Sequence, residues 1–479
     1  MNYSVIRYIL CRVLEFQAIF LSLPCLIAVI YGEREGWAYA AVMACCLLLG
    51  FLGKLKKPKS NVFYAREGFV AVSLSWILLS LTGALPLFFS GEFPSYTDAL
   101  FETISGLTTT GASILNSVEV LSKCNLFWRS FTHWIGGMGV LVLILAVLPL
   151  AGGYNMHLMR AESPGPTVGK LVPRVKHTAR MLYEMYIFLT IVQVVLLLLT
   201  GMSPFESLTL SFGTAGTGGF GVLNDSIASY PRVSQAIITV FMILFGINFN
   251  VYYLFWTKKP LQALCHEEMR YYLGIIAGAV LLITINARGG FATLFEAFHH
   301  VAFQVASVMT TTGYSTVDFN QWPEFSKFVL VLLMFCGACA GSTGGGIKVS
   351  RIIIMMKLVK NELSYLIHPN RVRQVHFEKH VVGKDVLRSV SVFFIAYVLI
   401  YGASALLISL DNLDFTTNFT AVAATLNNIG PGLGQVGPAS NFAAYSQPAK
   451  YVLMFDMLAG RLELFPLLLL FTPATWKKR

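Results

Sequence analysis

The stretch "LTTTGAS" at residues 107–113 returns about two hundred residues later as "MTTTGYS" at 309–315. Each copy ends a segment of mixed apolar character, 96–107 and 292–309, that is too short or too polar to cross a hydrocarbon core about 30 Å thick, which requires roughly 20 apolar residues. A short segment of this kind between two apolar runs is the mark of a re-entrant helix. Two further segments, 203–214 and 415–426, occupy the same slot and lead into "GTAGTGGFG" and "LNNIGPGLG". Aligned on one glycine, the four stretches read Thr108-Thr109-Thr110-Gly111, Ala215-Gly216-Thr217-Gly218, Thr310-Thr311-Thr312-Gly313 and Asn427-Asn428-Ile429-Gly430.

The rest of the chain explains this spacing. Of 479 residues, 56% are hydrophobic and only 12% charged, and apolar runs recur from residue 8 to residue 472 with no long polar domain between them. That composition describes a polytopic membrane protein. Spans are expected near 8–30, 37–53, 68–89, 126–150, 182–200, 233–256, 272–287, 326–347, 386–410 and 449–472. A unit of span, re-entrant helix, glycine loop and span thus recurs with a period of about one hundred residues, the signature of a repeated structural element. The expected fold is an all-α integral membrane protein: four pseudo-symmetric repeats around one central pore, preceded by two N-terminal transmembrane helices. The divisions are 1–66 for the N-terminal pair, then 67–155, 156–257, 258–350 and 385–479 for the repeats, with a cytoplasmic connection at 351–384.

Charge sets the orientation. The net charge of +11 suggests nucleic acid until its distribution is considered. With the N-terminus inside, the inward segments are the N-terminus, 54–66, 156–180, 257–270, 348–388 and the tail "KKR", and they carry most of the 35 Lys and Arg residues. The positive-inside rule therefore places both termini in the cytoplasm. Acids such as Glu92, Asp225, Asp318 and Asp414 fall on the outer side. The first apolar run contains Glu15 and has no clear small-residue cleavage site, so it reads as a retained helix. Cys336 and Cys339 form a CxxC inside an apolar run, where small-residue packing explains them. No catalytic or metal-ligating constellation of His and acids stands out, so the chain does not read as an enzyme.

Non-helical backbone at membrane depth must be buried in protein or line water, because each unsatisfied polar group costs several kcal/mol. Four such loops around one axis form a pore lining. Glycine opens backbone angles that direct carbonyls inward, and threonine adds hydroxyl oxygen. The product is a ring of neutral oxygens able to replace the hydration shell of an alkali cation.

At this point the sequence resembles a family. Four span, pore-helix and span units with one glycine each, "HWIGGMGVLVL" at 133–143, "CAGSTGGGIK" at 339–348 and "GRLELFP" at 460–466 are similar to the TrkH-type membrane subunits of bacterial Trk systems, in the Trk, Ktr and HKT superfamily of potassium and sodium uptake proteins. The resemblance implies a potassium selectivity filter at Thr109, Thr110, Gly111, Gly216, Thr217, Gly218, Thr311, Thr312, Gly313, Asn428, Ile429 and Gly430. Serine in place of the first glycine accompanies sodium selectivity in that superfamily, so Gly111 points to potassium. The fourth loop, with Asn427, Asn428 and Ile429, departs from the threonine pattern and makes the ring chemically uneven.

Two features lie beneath the filter. The run "CGACAGSTGGGIK" falls inside a predicted span, and its glycines with Ser342 and Thr343 are expected to break the helix. It is not a phosphate-binding loop, since Ile347 separates the glycines from Lys348 and Val349 follows. Gly341, Ser342, Thr343, Gly344, Gly345, Gly346 and Lys348 instead form a candidate gate. Arg461 lies in the middle of the last span, where a charge must face protein or water. Facing the pore, it would repel cations and set a barrier. The resemblance further implies a homodimer in the bacterial inner membrane, a TrkA-type nucleotide-binding subunit on the cytoplasmic face, no cofactor beyond the transported potassium, and no nucleic-acid partner. A voltage-driven, channel-like pathway and a symporter coupled to protons or sodium both remain open at this stage.

Overall fold

The computed structural model describes residues 1–55, 64–139, 175–257, 260–369 and 374–477, with side chains of the helix that begins at Val175 described from Arg180 onward. The end of the 126–150 run, from residue 140, the boundary at 155/156 and parts of the basic segments fall outside these residues.

Six helices among the described residues are long and apolar enough to cross a membrane: Tyr3–Tyr31, Gly36–Lys54, Ala65–Phe89, Arg180–Leu199, Glu267–Gly290 and Lys384–Asp411. They are the two N-terminal helices and the first helix of each expected repeat. Their outward faces are apolar too, with Val29, Leu199 and Leu406 more than 70% exposed. A helix that is apolar both inward and outward suits a lipid surround.

The other four expected spans are not continuous. Each begins with a helix of 12 to 15 residues, Lys123–Gly137, Arg232–Phe245, Glu324–Phe335 and Gln447–Arg461. Each then breaks. The first ends at Gly137, and the second turns by 89° at Gly246 to Asn248 before Phe249–Trp256. The third gives way to residues 336–348 before Val349–Ile367 begins. The last passes through Glu463 and Leu464, both with positive φ, into Phe465–Phe471. Hydropathy continues across these sites, but glycines, Asn248 and the Arg461-Glu463 pair interrupt the helical ladder.

Between the two helices of each unit lies a short pore helix: Tyr96–Leu107, Pro204–Gly216, Leu294–Met309 and Phe415–Leu426. All four start with the same device. Ser95, Ser203, Thr293 and Asp414 each accept a hydrogen bond at the N-cap from the amide three residues on, at Asp98, Glu206, Glu296 and Thr417. These bonds satisfy an orphan donor of the first turn, and the acids at Asp98, Glu206 and Glu296 complement the helix dipole. At the exposed Asp414 the Thr417 hydroxyl and amide hold the carboxyl below its usual range.

Past Val349–Ile367 the chain forms a small hairpin, His376–Phe377 against His380–Val381, turning through Glu378 and Lys379 at φ 50° and 64°. Burial opposes ionisation of Glu378, yet hydrogen bonds from His266 and the Glu268 amide outweigh it and hold its carboxyl below the usual range.

Candidate ion pathway

All four pore helices end in the same backbone cap. Thr109, Thr217, Thr311 and Asn428 adopt left-handed φ of 54° to 59°. The following amides, of Thr110, Gly218, Thr312 and Ile429, reach back five residues to Ser105, Gly213, Ser307 and Ala424, each at 2.8 Å. This is a Schellman turn with threonine or asparagine where glycine usually stands. A β-branched residue in the left-handed region is a true outlier, and backbone strain of this kind gathers at functional sites.

The caps correct the alignment of the second loop. Thr217 matches Thr109, so Gly218 matches Thr110, and the counterpart of Gly111 is Gly219 rather than Gly218. Positive φ confirms it: 78° at Gly111, 83° at Gly219, 84° at Gly313 and 99° at Gly430. Gly216 is the last residue of its pore helix rather than part of the loop.

With this register the loops close into a ring. A Cβ added to Gly111 would lie 2.0 Å from the Gly218 carbonyl oxygen, one on Gly219 1.9 Å from that of Thr312, one on Gly313 2.1 Å from that of Ile429, and one on Gly430 2.7 Å from that of Thr110. Each glycine therefore lies against the equivalent carbonyl of the next loop, round to the first. Among the described residues none of these four oxygens accepts a hydrogen bond. Only glycine permits both the positive φ and this approach.

The repeated threonines divide their work. Thr108 and Thr310 return their hydroxyls to the carbonyls of Ile104 and Ala306 at 2.6 and 2.7 Å, and each holds the hydroxyl of the third threonine, Thr110 or Thr312, at 2.8 or 2.7 Å. The outer two hydroxyls thus brace the turn. The middle ones differ: Thr109 Oγ1 is buried without a partner, whereas Thr311 Oγ1 accepts from the Gly345 amide. In the fourth corner the Asn428 amide nitrogen donates to Thr110 Oγ1 at 3.0 Å and Met457 O at 2.9 Å, leaving Oδ1 unpartnered.

His133 explains the second corner. Its ring is wholly buried, with Nδ1 2.8 Å from Gly106 O and Nε2 accepting from the Phe220 amide at 3.2 Å. A Cβ on Gly218 would enter this ring at 2.1 Å. Imidazole fills the space that the side chains of Thr110, Thr312 and Ile429 take in the other corners.

Beneath the ring the four helix breaks converge. Thr343 N and Oγ1 donate to Phe245 O at 3.4 and 3.2 Å, and Gly341 O accepts from the Phe249 amide at 3.1 Å, so the 341–346 segment is pinned to the second break. Lys348, itself buried, donates through Nζ to Gly344 O. Arg461 reaches across from the fourth break, donating to Thr343 O at 2.9 Å and to Gly136 O and Gly137 O, the latter at 2.7 Å. Its nearest acids in sequence are engaged elsewhere, since Glu463 meets Arg351 and Asp456 accepts from Ser404 at 2.7 Å. Two cavities flank the ring. One of about 150 Å³ is lined by Gly111, Gly219, Gly313 and Gly430, and one of about 80 Å³ by Gly137, Gly344, Gly345, Lys348 and Arg461. Both exceed the space one water needs.

Comparison with known proteins agrees with this geometry. The family model of TrkH, described as a cation transport protein, matches residues 37–287 and 291–478. This chain belongs to the TrkH family. The Trk system potassium uptake protein TrkH of Salmonella typhimurium is 38% identical over 95% of both chains, and that of Escherichia coli K12 is 37% identical over 95% of both. The crystal structure of the potassium transporter TrkH from Vibrio parahaemolyticus superposes with a TM-score of 0.90 at 33% identity over 100% of both chains.

In this TrkH-family chain, every residue singled out in the first, third and fourth loops lies at the ring, and the 341–348 segment and Arg461 lie directly beneath it. Sequence reasoning missed Gly219, His133 and the buried Glu102. The first was hidden by a double glycine. The other two are placed only by contacts between segments distant in sequence. The N-cap pattern S/T-x-x-D/E at Ser95, Ser203 and Thr293 was a readable signal for three of the pore helices.

Proposed function

We propose that this chain is the membrane subunit of a Trk-type system that admits potassium to the cell through a gated, channel-like pathway. The observation that carries the reading is the closed ring of four equivalent carbonyls, which among the described residues accept no hydrogen bond. Such oxygens require a partner, and a dehydrated alkali cation supplies one. The unpartnered Thr109 Oγ1 and Asn428 Oδ1 add oxygen at the inner edge. The filter comprises Thr109 to Gly111, Thr217 to Gly219, Thr311 to Gly313 and Asn428 to Gly430.

The 341–348 segment serves as the gate and Arg461 as the barrier, because both line the inner cavity and Arg461 bonds the segment at Thr343 O. A potential of 100 mV provides about 2.3 kcal/mol per charge, and a tenfold gradient opposes entry by about 1.4 kcal/mol, so no second ion is required. The cytoplasmic face receives a nucleotide-binding regulatory subunit, and the membrane subunit works as a homodimer in the inner membrane with both termini inside. The words "Trk system" in the relatives' names support a multi-component assembly, and the basic inner segments support the orientation; the homodimer and the nucleotide-binding partner rest on the family resemblance.

Purified protein in liposomes tests the reading. Rubidium influx should follow an imposed potassium-diffusion potential at neutral and alkaline pH without sodium. Flux that vanishes without a proton or sodium gradient would replace the channel with a symporter. Gly111→Ser should shift the rubidium-to-sodium ratio towards sodium, and an unchanged ratio would remove the filter assignment.

A further inference from the structure

The ends of the 341–348 segment are held by one carboxylate. Glu268 lies in the first turn of the helix that opens the third repeat and is 1% exposed. Its Oε1 accepts from the Ala340 amide at 2.7 Å and from the Ser350 amide at 3.0 Å. Ala340 immediately precedes the segment, and Ser350 stands in the first turn of Val349–Ile367. A single oxygen therefore closes a loop of nine intervening residues and caps the following helix, where an anion also complements the dipole. Hydrogen bonds to an ionised acceptor are about twice as strong as neutral ones.

The same turn is tied outward to the hairpin. The Glu268 amide donates to Glu378 Oε1 at 3.0 Å, and the Glu378 amide donates to Glu267 Oε2 at 3.1 Å. His266 Nδ1 lies 2.9 Å from Glu378 Oε1. Lys357 bonds Glu267 and donates to His376 O at 2.8 Å. The path from the hairpin turn to the gate ends is thus Glu378, the helix start at Glu267 and Glu268, and then Ala340 and Ser350. Each step is a direct hydrogen bond.

We infer that Glu268 is the positioning residue that holds the gate segment in its obstructing form, and that the hairpin at 376–381 acts on the gate through it. The gating half of this inference rests on the function proposed above; the clasp itself does not. The Glu268 carboxylate draws the two ends of the segment together, which keeps Gly345 under Thr311 and Thr343 within reach of Arg461. A displaced hairpin shifts the helix start, lengthens both Oε1 bonds and frees the segment to leave the path.

Cys339, fully buried beside the clasp, provides a readout independent of conduction. In a full-length variant with Cys339 as the sole cysteine, Glu268→Ala should raise its labelling rate by a membrane-permeant maleimide by roughly tenfold or more, the scale of one lost charged hydrogen bond. Rubidium uptake without a regulatory subunit should rise with it. Glu268→Gln, which keeps an acceptor oxygen, should restore labelling most of the way to the parent rate. Should Glu268→Ala fail to fold, Glu378→Ala loosens the same tie from outside and should give the same two increases. Parent-like labelling in a folded variant overturns the clasp, whatever the flux. Faster labelling with no gain in flux of any alkali cation confirms the clasp and overturns the gating half, while voltage-driven rubidium influx in the parent separately tests the conduction reading.

Discussion

The Gly345 amide donates to Thr311 Oγ1 at 2.7 Å, joining the segment below the ring to one of its four left-handed corners. The proposed gate is therefore bonded to the proposed filter rather than merely beneath it. Thr311→Val keeps the β-branched shape but leaves a buried N–H unsatisfied, a cost of about 1 to 3 kcal/mol borne by the obstructing form. Basal rubidium uptake into vesicles should rise roughly tenfold with this variant. Thr311→Ser, which retains the hydroxyl, should behave like the parent. Equal uptake in both variants would mean the bond does not hold the segment.

Arg461 ties three breaks together through carbonyls of Thr343, Gly136 and Gly137. It also places charge in the cavity that, on the proposed pathway, an entering cation crosses. At about 5 Å and an effective dielectric near 20, the repulsion is about 3 kcal/mol. Arg461→Ala should remove both effects and raise basal uptake most. Lysine keeps the charge but cannot fork to separate carbonyls, so Arg461→Lys should fall between. A voltage-step flux measurement across the series checks the order, and an alanine variant no faster than the lysine one defeats the barrier role.

Adjacent glycines in the second loop should respond differently to alanine. A Cβ on Gly219 meets the Thr312 carbonyl at 1.9 Å, which is backbone and cannot yield. A Cβ on Gly218 meets the His133 ring at 2.1 Å, which is side chain. Gly219→Ala should abolish uptake in any background. Gly218→Ala should be impaired alone and partly recovered by His133→Ala. Uptake and thermal melting of the purified proteins decide the matter, and recovery of Gly219→Ala by any side-chain truncation would contradict this register.

These contacts show where sequence stops informing. The four corners were legible because hydropathy and a glycine recur with a common period, and "CGACAGSTGGGIK" was legible because glycine cannot sustain a helix inside an apolar run. The register at Gly218 and Gly219 was not, since two glycines fit the same slot and only the folded backbone, left-handed at Thr217 and Gly219, distinguishes them. The other three breaks were hidden for a related reason: apolar residues continue on both sides of Gly246 and Leu464, and hydropathy records polarity rather than backbone direction. Glu268 reads as an ordinary first-turn acid until the chain folds and brings Ala340 and Ser350 to it.

A second buried carboxylate should govern the outer part of the first corner. Glu102, on the first pore helix, accepts from Arg129 Nε at 2.8 Å and Nη2 at 2.6 Å, from Ser113 Oγ at 2.9 Å and from the Ile114 amide at 3.2 Å. Both side chains are nearly inaccessible, 0% for Glu102 and 2% for Arg129. The guanidinium also stacks 4.1 Å over Phe220 beside the second corner. The pair thus fixes two loops from behind, immediately beyond Gly111 and Gly219. Arg129→Met leaves the buried Glu102 without its cationic partner, which typically costs about 3 to 5 kcal/mol, whereas replacing both partners by apolar residues of similar volume removes the unpaired group. Arg129→Met should therefore lower the melting temperature sharply, and Glu102→Met with Arg129→Met should regain most of that loss. Ser113 and the Ile114 amide still lose their acceptor in the double variant, so its rubidium-to-sodium ratio should fall even where its stability returns. A double variant that melts no higher than Arg129→Met alone would place the cost in lost packing rather than in the unpaired group.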